Sequence, residues 1–434
     1  MNKSIPSTLY RNETLREEYR KYHHPSGLDI YIFPKKMTTS YALFATRYGA
    51  VDNKFKIEGD KEFTCVPDGI AHFLEHKMFE CEGGVDAFEL YAKTGASANA
   101  YTSNTMTAYL FSCTENFYES LEILLDFVTH PYFTDENVEK EQGIIGQEIR
   151  MYEDHAGARL QQNLMRAMYK KNKMRIDVLG TEESIGKITP EILYKCHSVF
   201  YNLNNMALAI CGDVDVSKIE EICDKMLKKA PTYTIIRDTE DEDEPKEVVE
   251  KRTKCALRIS KPVFAIGIKD MDISKNPNER MKKAYGVNIL NEILFSQSSK
   301  IFNELYDENL ISHDLSAAFE HTKNCSFVYI ASESSDPEAV YDYFVNYIKE
   351  MQEIGIDKEE FELAKRTIFA SNIKSFDSTG EIANNLIYNL FDGADILDAP
   401  DIISSIDYEY VSELLKSMYK EEYYTMSVVE PLKK

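Results

Sequence analysis

The stretch Gly69-Ile70-Ala71-His72-Phe73-Leu74-Glu75-His76-Lys77-Met78-Phe79 places two imidazoles and a carboxylate within five residues. Written on a helix, His72 and His76 share one face, and Glu75 lies one residue round, within reach of the same point. Two neutral imidazole nitrogens suit a catalytic zinc ion, and a neighbouring carboxylate can take a proton from the water such an ion activates. Ile70, Phe73, Leu74, Met78 and Phe79 supply the apolar packing that fixes such a helix in a core. Two imidazoles leave the coordination incomplete, so a third ligand must come from elsewhere in the chain.

A pair of histidines four residues apart is often an ordinary helix surface. The order His-x-x-Glu-His is more specific, being a metallopeptidase signature in its inverted form. The search for a third ligand ends in the helical stretch from Thr134 to Met151, where Glu141 and Glu148 are two turns apart and share a face. One of them could sit on the metal while the other orients a ligand from behind. Chemistry alone does not choose between the two, and Glu153 is also near.

The chain has 434 residues, more than one hydrophobic core usually supports, so two or more domains are expected. Its eight cysteines are scattered without a C-x-x-C pair, as free thiols in a reducing compartment would be, and the metal site is not a thiolate one. The N-terminus lacks the apolar run of a secretory signal, and no stretch is apolar enough to span a membrane. A cytoplasmic protein is expected, with no membrane partner. The formal charge of −23 argues against nucleic acid as a partner, because phosphate binding needs concentrated Lys and Arg.

Residues up to about Tyr22 read as a polar, charge-mixed arm. Gly27 to Phe33 and Tyr41 to Tyr48 alternate as strands, expected side by side in one sheet. Gly83-Gly84 has neither the length nor the context of a phosphate loop and reads as a turn. Beyond a short helix over Val85 to Lys93, the small residues from Gly95 to Thr102 suggest an exposed sheet edge that could take an extended peptide by strand addition. Thr107 to Cys113 is a further strand, and Phe117 to Val128 an amphipathic helix stopped by His130-Pro131.

Two segments are echoed later in the chain. Phe133-Thr134-Asp135-Glu136 and Ile356-Asp357-Lys358-Glu359 each open a long helix, while Ile188-Thr189-Pro190-Glu191 and Ile406-Asp407-Tyr408-Glu409 each precede a helix and an apolar strand. The parallel order suggests an old duplication. The second copy carries Ala364 and Ser371 where Glu141 and Glu148 would repeat, so one metal site per chain is expected. Between the copies, the carboxylate run within 236–245 reads as a solvated linker. The expected architecture is α+β: two homologous lobes, 1–235 and 246–434, each a mixed or antiparallel sheet with helices on one face.

These residues carry a resemblance to the pitrilysin-like metallopeptidases, the inverted-motif family that includes insulin-degrading enzymes and mitochondrial processing peptidases. It rests on His72, Glu75 and His76, on Asn99-Ala100-Tyr101-Thr102 within the edge strand, on the Glu141 to Glu148 helix, and on Tyr201 to Asp213, similar to the closing strand of the family's first domain. The resemblance implies one zinc ion held by His72, His76 and Glu148, with Glu75 as general base and Glu141 as a supporting carboxylate. It places Asn99 and Ala100 where the family holds substrate backbone. In the second lobe the family commonly carries an arginine and a tyrosine that grip substrate and the developing oxyanion; this chain has Tyr306 and His313 there. His313 could donate a hydrogen bond, but Tyr306 cannot replace a guanidinium. In related two-subunit peptidases the metal set and the Arg/Tyr pair lie on different chains. The chain therefore resembles the metal-bearing half of a pair, or a homodimer with altered substrate handling. The expected function is zinc-dependent hydrolysis of peptide bonds inside unstructured peptides; the alternative is a non-hydrolytic subunit that uses the same fold to hold a peptide or partner protein.

Overall fold

Met206-Ala207-Leu208-Ala209-Ile210-Cys211-Gly212 is buried at every position, the pattern of a strand covered on both faces. It runs through the middle of a seven-stranded sheet. The computed structural model describes residues 6–238, 244–313 and 315–433. Its strands are β1 (Ser7–Asn12), β2 (Glu17–His23), β3 (Asp29–Pro34), β4 (Ser40–Thr46), β5 (Lys54–Ile57), β6 (Thr64–Cys65), β7 (Ser97–Thr102), β8 (Thr107–Cys113), β9 (Met206–Gly212), β10 (Ile235–Arg237), β11 (Arg252–Leu257), β12 (Val263–Asp270), β13 (Ser316–His321), β14 (Ser326–Glu333) and β15 (Tyr424–Pro431). The first half carries helices α1 (Ile70–Met78), α2 (Ala87–Thr94), α3 (Phe117–Thr129), α4 (Asp135–Glu153), α5 (Ala156–Met168), α6 (Glu182–Ile185), α7 (Pro190–Phe200) and α8 (Val216–Met226). The second carries α9 (Pro277–Phe295), α10 (Lys300–Asp307), α11 (Pro337–Ile354), α12 (Lys358–Ser375), α13 (Thr379–Asp392), α14 (Ala399–Ser405) and α15 (Tyr408–Met418).

The first sheet has the order β1-β2-β3-β9-β4-β8-β7 and the second β11-β15-β12-β14-β13. Strand β9 is parallel to β3 and antiparallel to β4, just as β15 is parallel to β11 and antiparallel to β12. The five strands of the second sheet thus repeat β3-β9-β4-β8-β7 in order and direction. The echoed segments are helix starts: Thr134 and Asp357 cap α4 and α12, and Thr189 and Asp407 cap α7 and α15, each accepting a backbone N–H.

Three expectations need correcting. Strands β3 and β4 are not neighbours, because β9 inserts between them from far along the chain. The N-terminal arm is not irregular: β1 and β2 form a hairpin on β3, with Tyr19 and Tyr22 buried beneath its charged residues. Of the acidic linker, residues 239–243 lie outside the described residues, while Ile236 and Arg237 pair with β5. Glu244 is not solvated. Its side chain is 4% exposed, accepts the N–H groups of Lys170, Lys171 and Asn172, and pairs with Lys269 Nζ at 2.7 Å.

Each sheet carries its own helices on one face. The other face is covered by a helix from the opposite half. Ile382, Ala383, Leu386 and Ile387 of α13 pack on Tyr31, Phe33, Leu43 and Ala209 of the first sheet. Leu160, Leu164, Met165 and Met168 of α5 pack on Ala265, Phe327 and Val429 of the second. Burying three or four large aliphatic side chains in each place contributes roughly 5–10 kcal/mol, comparable to the net stability of a whole domain. The exchange makes the two halves one body.

Candidate metal centre

Helix α1 starts without a side-chain cap. Gly69 precedes it in the left-handed region at φ 88°, and a Cβ there would stand 2.4 Å from the Leu179 carbonyl oxygen. Only glycine allows both the turn and this close approach, and together they fix where α1 begins beneath the 179–180 loop. All residues of the helix except His76 are buried. His72 and His76 share a face with ring centroids 4.5 Å apart.

Helix α4, opened by a capping box between Thr134 and Asn137, brings Glu141 and Glu148 to the same face of α1. Glu148 Oε2 lies 3.8 Å from His72 Nε2 and 3.5 Å from His76 Nε2. Glu141 Oε1 lies 3.0 Å from His76 Nδ1. One ligand atom from each of His72, His76 and Glu148 falls within 4.8 Å of the others. Glu75 lies beside the triad without joining it: its Oε2 accepts a hydrogen bond of 3.0 Å from Thr102 Oγ1, at the end of the edge strand β7. The geometry separates a converging triad from a carboxylate held to one side.

Electrostatics follow this division. Burial, with His76 beside it, pushes the His72 imidazole down to about 3, so it is neutral and able to ligate at pH 7. Burial lowers His76 as well but is outweighed by the Glu141 hydrogen bond and the charges of Glu75, Glu141 and Glu148, which raise it. Burial raises both Glu75 and Glu148 against the lowering influence of His76, while Glu141, despite burial, is held below its ordinary value by its bond to His76 and by Lys77.

The residues fit a divalent ion of the zinc type. The His72 imidazole makes no hydrogen bond among the described residues, and its Nε2 faces Glu148 Oε2 at 3.8 Å, too far for a hydrogen bond; a buried nitrogen so placed needs a polar partner that the protein does not supply. A nitrogen, nitrogen, oxygen donor set with a carboxylate behind one imidazole is the chemistry of catalytic zinc sites.

Two supporting residues escaped the sequence reading. Thr102 follows Ala98 and Ala100 on the strand face toward α1, a period-two signal, and it positions Glu75. Lys77 is 1% exposed, bonds Glu80 and lies 3.7 Å from Glu141 Oε2; a lysine directly behind the ligand pair in an apolar helix was the available signal. Strand β7 is the sheet edge, as expected. Asn99 is exposed there and its Oδ1 accepts the Ala100 N–H at 2.9 Å. The structure does not bring Tyr306 or His313 into contact with the cluster. Tyr306 is 54% exposed on α10 with its ring stacked on Phe302. His313 is exposed in the loop before β13.

A family model described as insulinase (peptidase family M16) matches residues 66–182, and one described as the peptidase M16 inactive domain matches residues 187–368. The uncharacterized zinc protease YmfH of Bacillus subtilis (strain 168) is 37% identical over 421 residues, covering 96% of this chain and 98% of that protein. The chain belongs to peptidase family M16. A crystal structure described as an M16-like peptidase from Alicyclobacillus acidocaldarius superposes with a TM-score of 0.89 at 31% identity, covering 99% of both chains. A more distant relative is the mitochondrial ubiquinol-cytochrome-c reductase complex core protein I of Euglena gracilis, 29% identical over 170 residues, which are 38% of this chain and 34% of that one.

Proposed function

We propose that the chain is a zinc-dependent metalloendopeptidase that cuts peptide bonds within unstructured peptides. The observation that carries this reading is the convergence of His72, His76 and Glu148 on one point while Thr102 holds Glu75 beside it. His72, His76 and Glu148 would hold one zinc ion per chain, which when bound would supply Lewis-acid polarisation of a carbonyl and acidity to a water. Glu75, its carboxyl raised by burial, takes the water proton and delivers it to the leaving nitrogen. The outer edge of β7 aligns an extended substrate, and rotation of the Asn99 side chain frees the Ala100 amide to bond it. Glu141 holds the His76 ring in place from behind.

In the same reading, residues 1–235 and 246–434 are the two lobes, joined by 236–245, and the protein works in the cytoplasm. Among the described residues no helix is long and apolar enough to cross a membrane, and no disulfide joins the cysteines. His313 is assigned to the substrate side of the second lobe. A second subunit bearing an Arg/Tyr pair, or a second copy of the chain, completes the site. The other reading, a non-hydrolytic subunit, draws on the absent Arg/Tyr pair and on the relative that is a core protein of the ubiquinol-cytochrome-c reductase complex.

Metal analysis combined with a peptide-library digest separates the two. The peptidase reading expects one zinc per chain and internal cleavage that Glu75→Gln abolishes with its zinc retained. A zinc-loaded, correctly assembled sample that cleaves nothing favours the subunit.

A further inference from the structure

The seam between the halves holds a second cavity, of about 310 Å³, walled by residues of both and by none of the metal centre. Its three carboxylates are already matched: Asp52 by Arg237 at 2.7 Å, Asp238 by Lys54 at 2.6 Å and Asp392 by Arg280 at 2.8 Å. Arg237 apart, its cations are not. Arg47 lies over the Phe391 ring, 4.3 Å from its centroid, and makes no ion pair among the described residues. Exposed Lys323 stands at the cavity, also without one. Lys173 is 7% exposed, and its buried Nζ has no hydrogen-bond partner. The Nδ1 of His321, in the same wall, is likewise buried and unpartnered.

A buried ammonium without a counter-charge is strongly unfavourable, and proteins tolerate one where something binds to it. Here the unmatched charge is concentrated in a chain whose formal net charge is −23, so repulsion elsewhere on the surface directs anions to this opening. The volume is in the range of small-ligand sites. Met106, Met174 and Phe391 give the cavity apolar lining as well.

We propose that this cavity binds a small organic anion, with a carboxylate or phosphate group held by Lys173, Arg47 and Lys323 and an apolar body against Met106, Met174 and Phe391. Two sources offer that chemistry: a free small-molecule anion, and the C-terminal carboxylate of a bound peptide. Met174 also lines the larger cavity of about 730 Å³ along the end of α4 and α5. Thr105 and Met106 belong to the turn after Thr102, the residue that holds Glu75. An anion here braces both halves and the hairpin behind the general base. The proposal does not rest on the peptidase reading, because binding is measurable without turnover.

The test is thermal unfolding of the full chain at constant ionic strength with three probes: inorganic phosphate, citrate, and a short peptide as free acid or C-terminal amide, the peptide arm in the Glu75→Gln background. A probe at about 100 times its Kd is expected to raise Tm by roughly 2–5 °C. The rise should vanish in Lys173→Met and shrink in Lys323→Gln, whose exposed side chain leaves folding untouched. A rise with phosphate or citrate assigns a free anion; one confined to the free-acid peptide assigns its terminus. If Lys173→Met does not fold, Arg47→Gln and Lys323→Gln decide. No rise with any probe, or a rise of equal size in these variants, overturns the site.

Discussion

His76 can place only one ring nitrogen on a metal, and Glu141 Oε1, 3.0 Å from Nδ1, decides which. With Nδ1–H donating to that carboxylate, the Nε2 lone pair faces Glu148 and His72. The five acidic and imidazole groups therefore have different duties, and substitutions should separate them. On the proposed assignment His72→Ala, His76→Ala and Glu148→Gln each remove a ligand atom and should abolish stoichiometric zinc in equilibrium dialysis. Glu75→Gln should keep zinc and lose turnover. Glu141→Gln keeps the ligands but frees the His76 ring, and affinity should fall about 10–100-fold. Equal zinc loss in Glu75→Gln and Glu148→Gln would mean that base and ligand have been confused.

Helix α1 is placed by its first turn as much as by its apolar face. Gly69→Ala combines a positive φ with a clash 2.4 Å from the Leu179 carbonyl, and should destabilise by roughly 2–4 kcal/mol in denaturant unfolding. Gly83 has a similar φ of 84° but open space around it, so Gly83→Ala should cost only about 1 kcal/mol. Similar losses at both positions would remove the Leu179 contact as the constraint. At this scale local chemistry was legible in advance: the His72 to His76 spacing, the helix starts after Phe133 and Ile356, and the edge position of Gly95 to Tyr101. What the sequence concealed was non-local. Nothing within β3 or β4 says that β9 lies between them, since a fully buried strand reads alike wherever it inserts. The β1–β2 hairpin was hidden because its charged residues alternate around only two buried tyrosines, Tyr19 and Tyr22. An amphipathic helix such as α5 or α13 does not reveal which sheet it will cover. Averaging over the acidic run hid Glu244, which meets three amides and a lysine.

The whole molecule is held together across its seam, by the exchanged helices and by Glu244, which joins the 170–172 amides to Lys269 of β12. Burial raises the Glu244 carboxyl, but Lys269 and the three amides outweigh it and hold it below its ordinary value. Its stabilising contribution is thus present above the usual carboxylate range and lost as pH falls through the depressed folded value. Glu244→Gln strands Lys269, which is fully buried, and should cost about 3–5 kcal/mol at pH 7, with a flatter acid limb in unfolding curves recorded against pH; an unchanged limb would dissociate Glu244 from the seam. On the proposed reading an intact seam does not complete the site, because the second half offers Tyr306 and His313 where the family resemblance leads one to expect a guanidinium and a phenol. Negative charge growing on the scissile carbonyl needs donors aimed at it, and one such donor is worth about 10²–10³ in rate. The isolated chain should therefore bind zinc yet cleave an unstructured peptide slowly, and Tyr306→Arg with His313→Tyr should raise kcat/KM at matched zinc content, by less than that full factor because neighbouring groups are not arranged for the new donors. Both side chains are exposed, so the substitutions leave the core untouched and a change in rate reports on the site. Rapid turnover by a preparation whose measured mass excludes any second chain would eliminate the need for a partner while leaving the zinc chemistry standing.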